Sequence, residues 1–339
     1  MKPVIIHSGY QPGVYVDQKK HLFFGGTSYL GLNYHPKILD LFCEGLKIWG
    51  LNNGASRNNN IQLSIYIEAE KTLAKDYQTE AAVTFSSGWL AAQVAVEVLS
   101  KNRDCVYIND VHPALNAHNH AVLAIQNAVN YINLSNQTNF LIVSNSLNNV
   151  MPQIFDFSAL SQLLPSKNVV LLLDHSHGFG VLNYKWEAII KNINPNIDVV
   201  ICGSLAKGLS LDAGVVLGSS HWVSQIKLSA TFNGASPCSA ASLYTYINSK
   251  ALRKQALTQL TTNLNYVYAC LSNDNFYWTP SFPVLVVKNP VLVQKLIANK
   301  VLFTSFPYPY SNSPTINRLV ISSAHSKKQL KKLLDILNN

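Results

Sequence analysis

Charged residues and closely spaced cysteines are scarce in this chain of 339 residues, which narrows the classes of protein it can belong to. Asp, Glu, Lys and Arg together make up 13% of the residues, and the five cysteines lie far apart without a CxxC pair. This spacing indicates neither a zinc site nor a disulfide framework. We therefore expect no bound metal, and free thiols in the reducing environment of the cytoplasm.

Long apolar runs are also missing. No stretch approaches the roughly 20 apolar residues that span a bilayer. The opening residues, "MKPVIIHSGYQPG", lack the apolar core of a secretory signal. We expect no membrane partner and a cytoplasmic location.

Acidic residues are fewer than basic ones: the chain has 17 Asp and Glu against 26 Lys and Arg, which gives a formal net charge of +9. No basic-aromatic cluster or zinc-finger spacing accompanies this charge, so no nucleic-acid partner is predicted. An anionic substrate remains compatible with it. The densest basic run, "SKKQLKKLL" near the C-terminus, is typical of the solvent face of an amphipathic helix.

Short, nearly continuous apolar runs predict strands of a sheet that is covered on both faces. They lie at residues 81–88, 104–110, 140–146, 168–176, 198–204 and 214–220, and helical spacing between some of them covers 89–100 and 155–166. This alternation predicts an α/β fold with a mainly parallel sheet.

The two ends of the chain have a different pattern. Residues 11–25 predict a hairpin that turns near Asp17–Lys20, 283–288 and 318–322 predict strands, and a last helix follows. We therefore predict a large domain over residues 51–234. Residues 1–50 and 235–339 would form a smaller α+β domain.

Polar residues at the carboxyl ends of the predicted strands are the candidates for a ligand site, because open parallel sheets bind ligands there. "FSSGW" (85–89) would present backbone N–H groups and hydroxyls to an anion at a helix start. Asp174 ends an apolar strand, and His177 follows it. His112 follows another strand, and Lys207 lies among small residues in "GSLAKG" (203–208).

Each of these features has an ordinary structural explanation when taken alone. Ser87 would be a helix cap, His177 a satisfied core histidine, and Lys207 a surface lysine. Together they are an anion cradle, a buried carboxylate, histidines and a desolvated lysine that could form a Schiff base. Pyridoxal 5′-phosphate requires such a set.

The sequence resembles the α-oxoamine synthases, a branch of the fold-type-I pyridoxal-phosphate enzymes. "TSYLGLNYHPKI" (27–38) is similar to the family's "N-x-YLGL…HP", "GASR" (54–57) to "GGSR", and "FSSGW" to "FSSGY". "NDVHPALNAH" (109–118) resembles "D-x-x-NHAS", "LDHSHGFGVL" (173–182) resembles "DDAHGxGVLG", and "GSLAKG" resembles "GTxxKxxG". "RLVISSAHS" (318–326) resembles "RLRxxxxAxHT".

The resemblance implies a role for each site residue. Lys207 would hold the cofactor as an internal aldimine and later act as acid and base, and Asp174 would pair with the ring nitrogen. His177 would bind the phenolic oxygen and His112 would stack on the ring. The remaining residues would hold the phosphate (Ser87, Gly88, Trp89 and Ser204) or the amino-acid substrate (Arg318 and Thr27).

The implied enzyme is a homodimeric acyltransferase like 8-amino-7-oxononanoate synthase. It would condense an amino acid with an acyl thioester of CoA or of an acyl carrier protein, with loss of CO2. Two alternatives stay open, because segments expected around the substrate differ from the family pattern: "VSNSLNNVMPQI" (143–154) stands where the family has an acidic segment, and His175 replaces the second acid of "DDAHG". One alternative is an aminotransferase or lyase on this fold. The other is a relative that has lost catalysis.

Overall fold

The strands of the chain fall mainly into two large sheets in the computed structural model, which describes residues 4–115, 120–148, 150–182, 184–271, 275–308 and 312–338. In chain order the strands are β1 Gly13–Val16, β2 Lys19–Phe24, β3 Ala81–Phe85, β4 Asp104–Ile108, β5 Val122–Leu123, β6 Asn139–Asn145, β7 Leu147–Asn148, β8 Gln153–Ile154, β9 Asn168–Asp174, β10 Ile197–Ser204, β11 Gly214–Gly218, β12 Phe276–Tyr277, β13 Val284–Val287, β14 Val301–Pro307 and β15 Thr315–Val320.

Helices cover the sheets and connect their strands. They are α1 Pro36–Trp49, α2 Ser64–Tyr77, α3 Gly88–Leu99, α4 Ile125–Leu134, α5 Trp186–Ile193, α6 Ser220–Lys227, α7 Ala230–Gly234, α8 Ala240–Asn248, α9 Lys250–Cys270, α10 Pro290–Ala298 and α11 Lys327–Asn338. Short 3₁₀ helices occupy Leu32–Tyr34 and Ser158–Gln162. The last helix, α11, buries leucines on one face, as the basic run predicted.

The larger sheet has the order β3-β11-β10-β9-β6-β4-β5. Strands β10, β9, β6, β4 and β5 run parallel to one another, and β11 runs antiparallel to both β10 and β3. The prediction of a mainly parallel sheet is confirmed. Because parallel strands end at one edge, residues that follow β4, β9 and β10 come close together.

Both faces of this sheet are buried, as the apolar runs predicted. Along β9, Leu171 and Leu173 pack into one hydrophobic core, whereas Val170 and Leu172 pack into a second core on the other face. Side chains alternate between the faces of a strand, so a strand covered on both sides is apolar throughout.

The smaller sheet joins the two ends of the chain in the order β1-β2-β14-β15-β13-β12. The predicted hairpin is β1 and β2, which turn through Asp17 and Gln18 in the left-handed conformation, with φ of 46° and 61°. Strand β2 then pairs in parallel with β14 from the C-terminal part. The domain boundaries after residues 50 and 234 stay a prediction.

The helix predicted over residues 155–166 is wrong, because only a short 3₁₀ helix forms at Ser158–Gln162. The Asp156 carboxylate accepts hydrogen bonds from the N–H and hydroxyl of Ser158, both at 2.8 Å, and this competes with a regular helical start. Pro165 disfavours helical backbone at the residue before it. Among the described residues, no helix is both long and apolar enough to cross a membrane.

A buried ion cluster connects α2 to β3 and α6. Glu70, 5% exposed, accepts from Arg57 at 2.8 Å and from Lys227 at 3.0 Å. It also accepts from the backbone N–H of Thr84 at 3.0 Å, and the Arg57 guanidinium lies 4.4 Å from the centre of the Tyr66 ring. The Arg57 side chain is buried against this carboxylate, whereas Lys227 is partly exposed to solvent, so it is mainly Arg57 that relies on Glu70 for compensation of its charge.

We predict that Glu70→Ala destabilises the fold by about 3–5 kcal/mol, because it leaves the buried Arg57 charge without its counter-ion. The measurement is the free energy of unfolding in urea. Glu68→Ala, on the exposed side of the same helix, is the matched control and should change stability by less than about 0.5 kcal/mol. Equal effects of the two substitutions would contradict this account.

Candidate active site

A serine joins the ends of the two central strands. Cys202 of β10 is in register with Asp174 of β9. The N–H of Ser176 donates to Oδ1 of Asp174 at 2.7 Å, and the N–H of Ser204 donates to the Ser176 hydroxyl at 2.9 Å. The Asp174 carboxylate, 9% exposed, is therefore fixed relative to the turn that carries Lys207.

Lys207 lies in that turn after β10 and faces charges of both signs. Burial lowers its pKa below the ordinary lysine value, the nearby Asp174 carboxylate raises it, and the Arg318 guanidinium lowers it. Within the part of the chain that the structure describes, no side chain or backbone group forms an ion pair or hydrogen bond with the Lys207 ammonium. A partly desolvated, unpaired amine is suited to attack a carbonyl.

Two histidines surround the same charges. The hydroxyl of Tyr29 and Nδ1 of His177 form a hydrogen bond of 2.8 Å. Burial lowers the pKa of His177 well below its usual range, and the charges of Lys207 and Arg318 lower it further. His177 is therefore neutral at physiological pH, and burial raises the pKa of Tyr29 to about 12, so its hydroxyl keeps its proton.

His112 follows β4 at the same edge of the sheet. Its backbone N–H donates to Oδ1 of Asn145 at 3.1 Å, and its ring contacts that of Trp89 edge to face with centroids 5.9 Å apart. Burial lowers the pKa of His112, whereas the charge of Asp174 raises it and that of Lys207 lowers it. His112, Asp174 and Lys207 thus share one electrostatic environment.

The start of α3 closes this side of the site. The hydroxyl of Ser87 accepts from the N–H of Leu90 at 3.2 Å as a helix cap. A side chain at Gly88 would lie 2.5 Å from the backbone of Ser204, so only glycine lets the helix start approach the end of β10. Trp89 is 55% exposed beside it.

Arg318 reaches the site from the smaller sheet. It lies on β15, where it pairs in register with Thr304 of β14 and is 4% exposed. Its charge lowers the pKa values of Lys207, His177 and Tyr29, which places it among them. Thr27 lines a cavity of about 460 Å³, to which Ala206 and Ser210 also contribute.

These residues fit pyridoxal phosphate by the chemistry of their groups. The Lys207 amine and the buried Asp174 carboxylate share one electrostatic environment with His112 and His177, and the first N–H groups of α3 have no carbonyl partner within the helix. The aldehyde of the cofactor reacts with an amine, its pyridine nitrogen pairs with a carboxylate, and its phosphate binds N–H groups at a helix start.

The sequence did not predict three residues that build this site: Tyr29, Asn145 and Ser176. Each of them makes a contact within a turn or with a residue that is distant in the sequence. Tyr29, for example, bonds to His177, which lies 148 positions later in the chain. Tyr29 occurs in the "YLGL" motif, which was the available signal. His175, predicted to replace an acid, is buried: the Trp186 indole donates to its Nδ1 at 3.0 Å. Burial lowers the His175 pKa to about 4, so its ring is neutral.

The fold and this group of side chains define a fold-type-I pyridoxal-phosphate-dependent transferase. The chain belongs to the family of class I and II aminotransferases, whose model matches residues 29–337. Within that family its relatives are α-oxoamine synthases, so the resemblance seen in the motifs is confirmed. The predicted cofactor, pyridoxal 5′-phosphate, is confirmed as well.

The chain is similar to 8-amino-7-oxononanoate synthases along nearly its whole length. It is 25% identical to the one of Pseudomonas aeruginosa, over 98% of this chain and 89% of that protein. It is 23% identical to the one of Alkaliphilus oremlandii, over 94% and 87%.

Solved structures share the fold. Serine palmitoyltransferase of Sphingomonas wittichii superposes with a TM-score of 0.82 at 16% identity, over 98% of this chain and 90% of that one. The 8-amino-7-oxononanoate synthase of Francisella tularensis has a TM-score of 0.70 at 18% identity, over 94% and 96%.

We predict that the pKa of Lys207 responds in opposite directions to its two charged neighbours. Asp174→Asn removes the charge that raises this pKa, so the neutral amine should appear at lower pH. Arg318→Gln removes the charge that lowers it, so the neutral amine should appear at higher pH. The measurement is the pH dependence of reductive methylation of Lys207 in the cofactor-free protein, followed by peptide mass spectrometry. Midpoints that move in the same direction would contradict this electrostatic arrangement.

Proposed function

We propose that this chain is a pyridoxal-phosphate-dependent C-acyltransferase that joins an amino acid to an acyl group from a thioester. The observation that carries the proposal is the largely buried Lys207 amine, which forms no ion pair among the described residues and responds to the charges of both Asp174 and Arg318. The names of the relatives, 8-amino-7-oxononanoate synthase and serine palmitoyltransferase, support the acyl-condensing reaction.

Three residues would hold the ring of the cofactor in this proposal. Asp174, kept in place by the N–H of Ser176, would accept a hydrogen bond from the ring nitrogen and stabilise its positive charge. His177, oriented by Tyr29, would donate to the phenolic oxygen. His112, whose ring contacts that of Trp89, would pack against the face of the cofactor ring.

The phosphate would bind at the start of α3. Backbone N–H groups at Gly88 and Trp89 and the hydroxyls of Ser87 and Ser204 would donate to it, and the positive end of the helix dipole would favour its charge. The close approach of Gly88 to Ser204 supports this, because it brings both donor segments to one place.

Bound pyridoxal phosphate supplies an electron sink for negative charge at the α-carbon of an amino acid. Arg318 would bind the carboxylate of the amino acid with its two-pronged guanidinium. The Lys207 amine would take or return a proton at the α-carbon, a role suited to its lowered pKa. Thr27 would contact the substrate from the adjoining cavity.

The finer assignment is also a proposal. We favour a decarboxylative condensation of the 8-amino-7-oxononanoate synthase type, with CoA or an acyl carrier protein as the acyl carrier, in a homodimer. We also propose the division into a large domain of residues 51–234 and a smaller one of residues 1–50 and 235–339. The two separate sheets support that division.

We predict that the protein purified with pyridoxal phosphate is yellow, and that borohydride abolishes its visible absorption band. Lys207→Ala should lack the band and lose condensation activity by about 10³-fold, because it removes both the attachment point and the acid–base group. Glycine, alanine and serine are tested in turn with acyl-CoA thioesters, and release of the thiol and of CO2 is measured. Lys254→Ala, on the exposed side of α9, is the control and should behave as the wild type.

The products distinguish the proposal from its alternatives. Formation of a keto acid with no loss of thioester would instead favour an aminotransferase. A protein that stays colourless with added cofactor would contradict an enzymatic role altogether.

A further inference from the structure

Two departures from the family pattern contact each other in the structure. Ser146 lies in the segment of residues 143–154 that stands in place of an acidic family segment, and His175 replaces the second acid of "DDAHG". The two residues are 29 positions apart, yet the Ser146 hydroxyl and Nδ1 of His175 form a hydrogen bond of 2.7 Å. Both residues are almost wholly buried. The two departures therefore meet in one contact.

The indole of Trp186 decides which ring nitrogen of His175 carries the proton. An indole N–H can only donate, and it lies 3.0 Å from Nδ1 of His175, so Nδ1 carries no hydrogen. The Ser146 hydroxyl must then donate to the same nitrogen. The proton lies on Nε2, which faces the backbone carbonyl oxygen of Leu182 at 3.4 Å. His175 is thus a neutral ring with a polar partner at each nitrogen.

This ring lies beneath the turn that carries two residues of the candidate site. The backbone N–H groups of Gly178 and Phe179 donate to the carbonyl oxygen of His175 at 2.8 Å and 3.0 Å. A side chain at Gly178 would overlap the imidazole, so the turn closes directly over it. His177 lies within this turn and Asp174 comes immediately before it. A shift of the imidazole would therefore move both residues.

Ser146 holds the residue before His175 as well. Its backbone N–H donates to the carbonyl oxygen of Asp174 at 2.9 Å. Ser146 directly follows β6, and Asp174 ends the neighbouring strand β9. Ser146 therefore holds both the backbone of Asp174 and the ring of His175. Loss of the acceptor at His175 would leave two buried donors without a partner, which is costly and would loosen the turn.

We infer that His175 is a positioning residue of the active site, held by Ser146 and Trp186 so that Asp174 and His177 keep their places. The inference rests on the roles proposed for Asp174 and His177, through which His175 acts. It also gives the two departures a joint explanation, because hydroxyl and imidazole are matched as donor and acceptor. Such a match favours a working site over a relative that has lost catalysis.

The first measurement is the pH dependence of reductive methylation of Lys207 in the cofactor-free protein. His175→Phe keeps a ring but offers no acceptor to Ser146 and Trp186. Once the turn is loosened, the Asp174 carboxylate should approach the Lys207 amine and raise the midpoint by about one pH unit. His175→Asn places an amide oxygen near the position of Nδ1 and should keep the midpoint close to that of the wild type.

The second measurement is the dissociation constant of pyridoxal phosphate, obtained from the change in absorbance on binding. His175→Phe should weaken binding by about tenfold, whereas His175→Asn should bind nearly as the wild type does. The double variant Ser146→Ala/Trp186→Phe removes both donors instead of the acceptor. It should change the dissociation constant and the Lys207 midpoint in the same direction as His175→Phe.

The matched control is Trp222→Phe. The Trp222 indole is also buried and also donates to a side chain, the Asp198 carboxylate, at 3.2 Å. Asp198 lies near the start of β10, at the opposite edge of the sheet from the site. Trp222→Phe should lower stability in urea to an extent similar to that of Trp186→Phe. It should leave the Lys207 midpoint and the dissociation constant of the cofactor as in the wild type.

Two results would overturn the inference. One is an unchanged Lys207 midpoint and cofactor affinity in both His175→Phe and the double variant, which would leave the ring with a purely structural role. The other is an equal change in Trp222→Phe, which would show that any loss of stability has this effect.

These outcomes are separable from the outcome for the proposed function. The Lys207 midpoint is measured without cofactor or thioester, so its shift in His175→Phe would support the positioning role even in a protein that condenses nothing. Thioester consumption by the wild type, with midpoint and affinity indifferent to His175, would support the acyltransferase and contradict the positioning role.

Discussion

The candidate site depends on one short chain of hydrogen bonds, from the Asp174 carboxylate to the N–H of Ser176 and from the Ser176 hydroxyl to the N–H of Ser204. Two parallel strands end in register here, and this chain ties the loop after one strand to the loop after the other. The carboxylate and the Lys207 turn therefore keep a fixed relation. Without these hydrogen bonds, Asp174 and Lys207 could form a direct ion pair, and the paired amine would no longer be available to react.

The electrostatics of the site follow from that fixed separation. Burial lowers the pKa of Lys207 and so favours its neutral form. The Asp174 carboxylate raises this pKa, and the Arg318 guanidinium lowers it. No single one of these influences sets the protonation state of the amine. A ligand that brought negative charge to Arg318 would reduce its influence and raise the pKa of Lys207, so binding of such an anionic ligand and proton affinity at Lys207 would be coupled.

The sequence predicted the features that depend on local composition, such as buried strands. It did not predict features that depend on contacts between residues distant in the sequence. Strands such as β9 were predictable because burial on both faces requires a continuous apolar run. The positions of Asp174 at the end of β9 and of Lys207 in the turn after β10 followed directly, because strand ends are visible in the sequence. The 3₁₀ helix at Ser158–Gln162 was not predicted, since apolar spacing outweighed the turn made by Asp156. Tyr29 was missed as a site residue because its partner, His177, lies in a distant part of the chain.

The few charged groups of this molecule differ in how deeply they are buried and in whether they form ion pairs. Glu70 is buried with its partners fully in contact, which suits a structural role. Lys207 is partly buried but unpaired, which has no structural benefit and is the feature expected of a reacting group. Exposed lysines such as Lys20, Lys300, Lys328 and Lys332 form no ion pair among the described residues, which costs little because water solvates their charge. Burial and pairing together therefore distinguish a charged group that stabilises the fold, such as Glu70, from one suited to chemistry, such as Lys207.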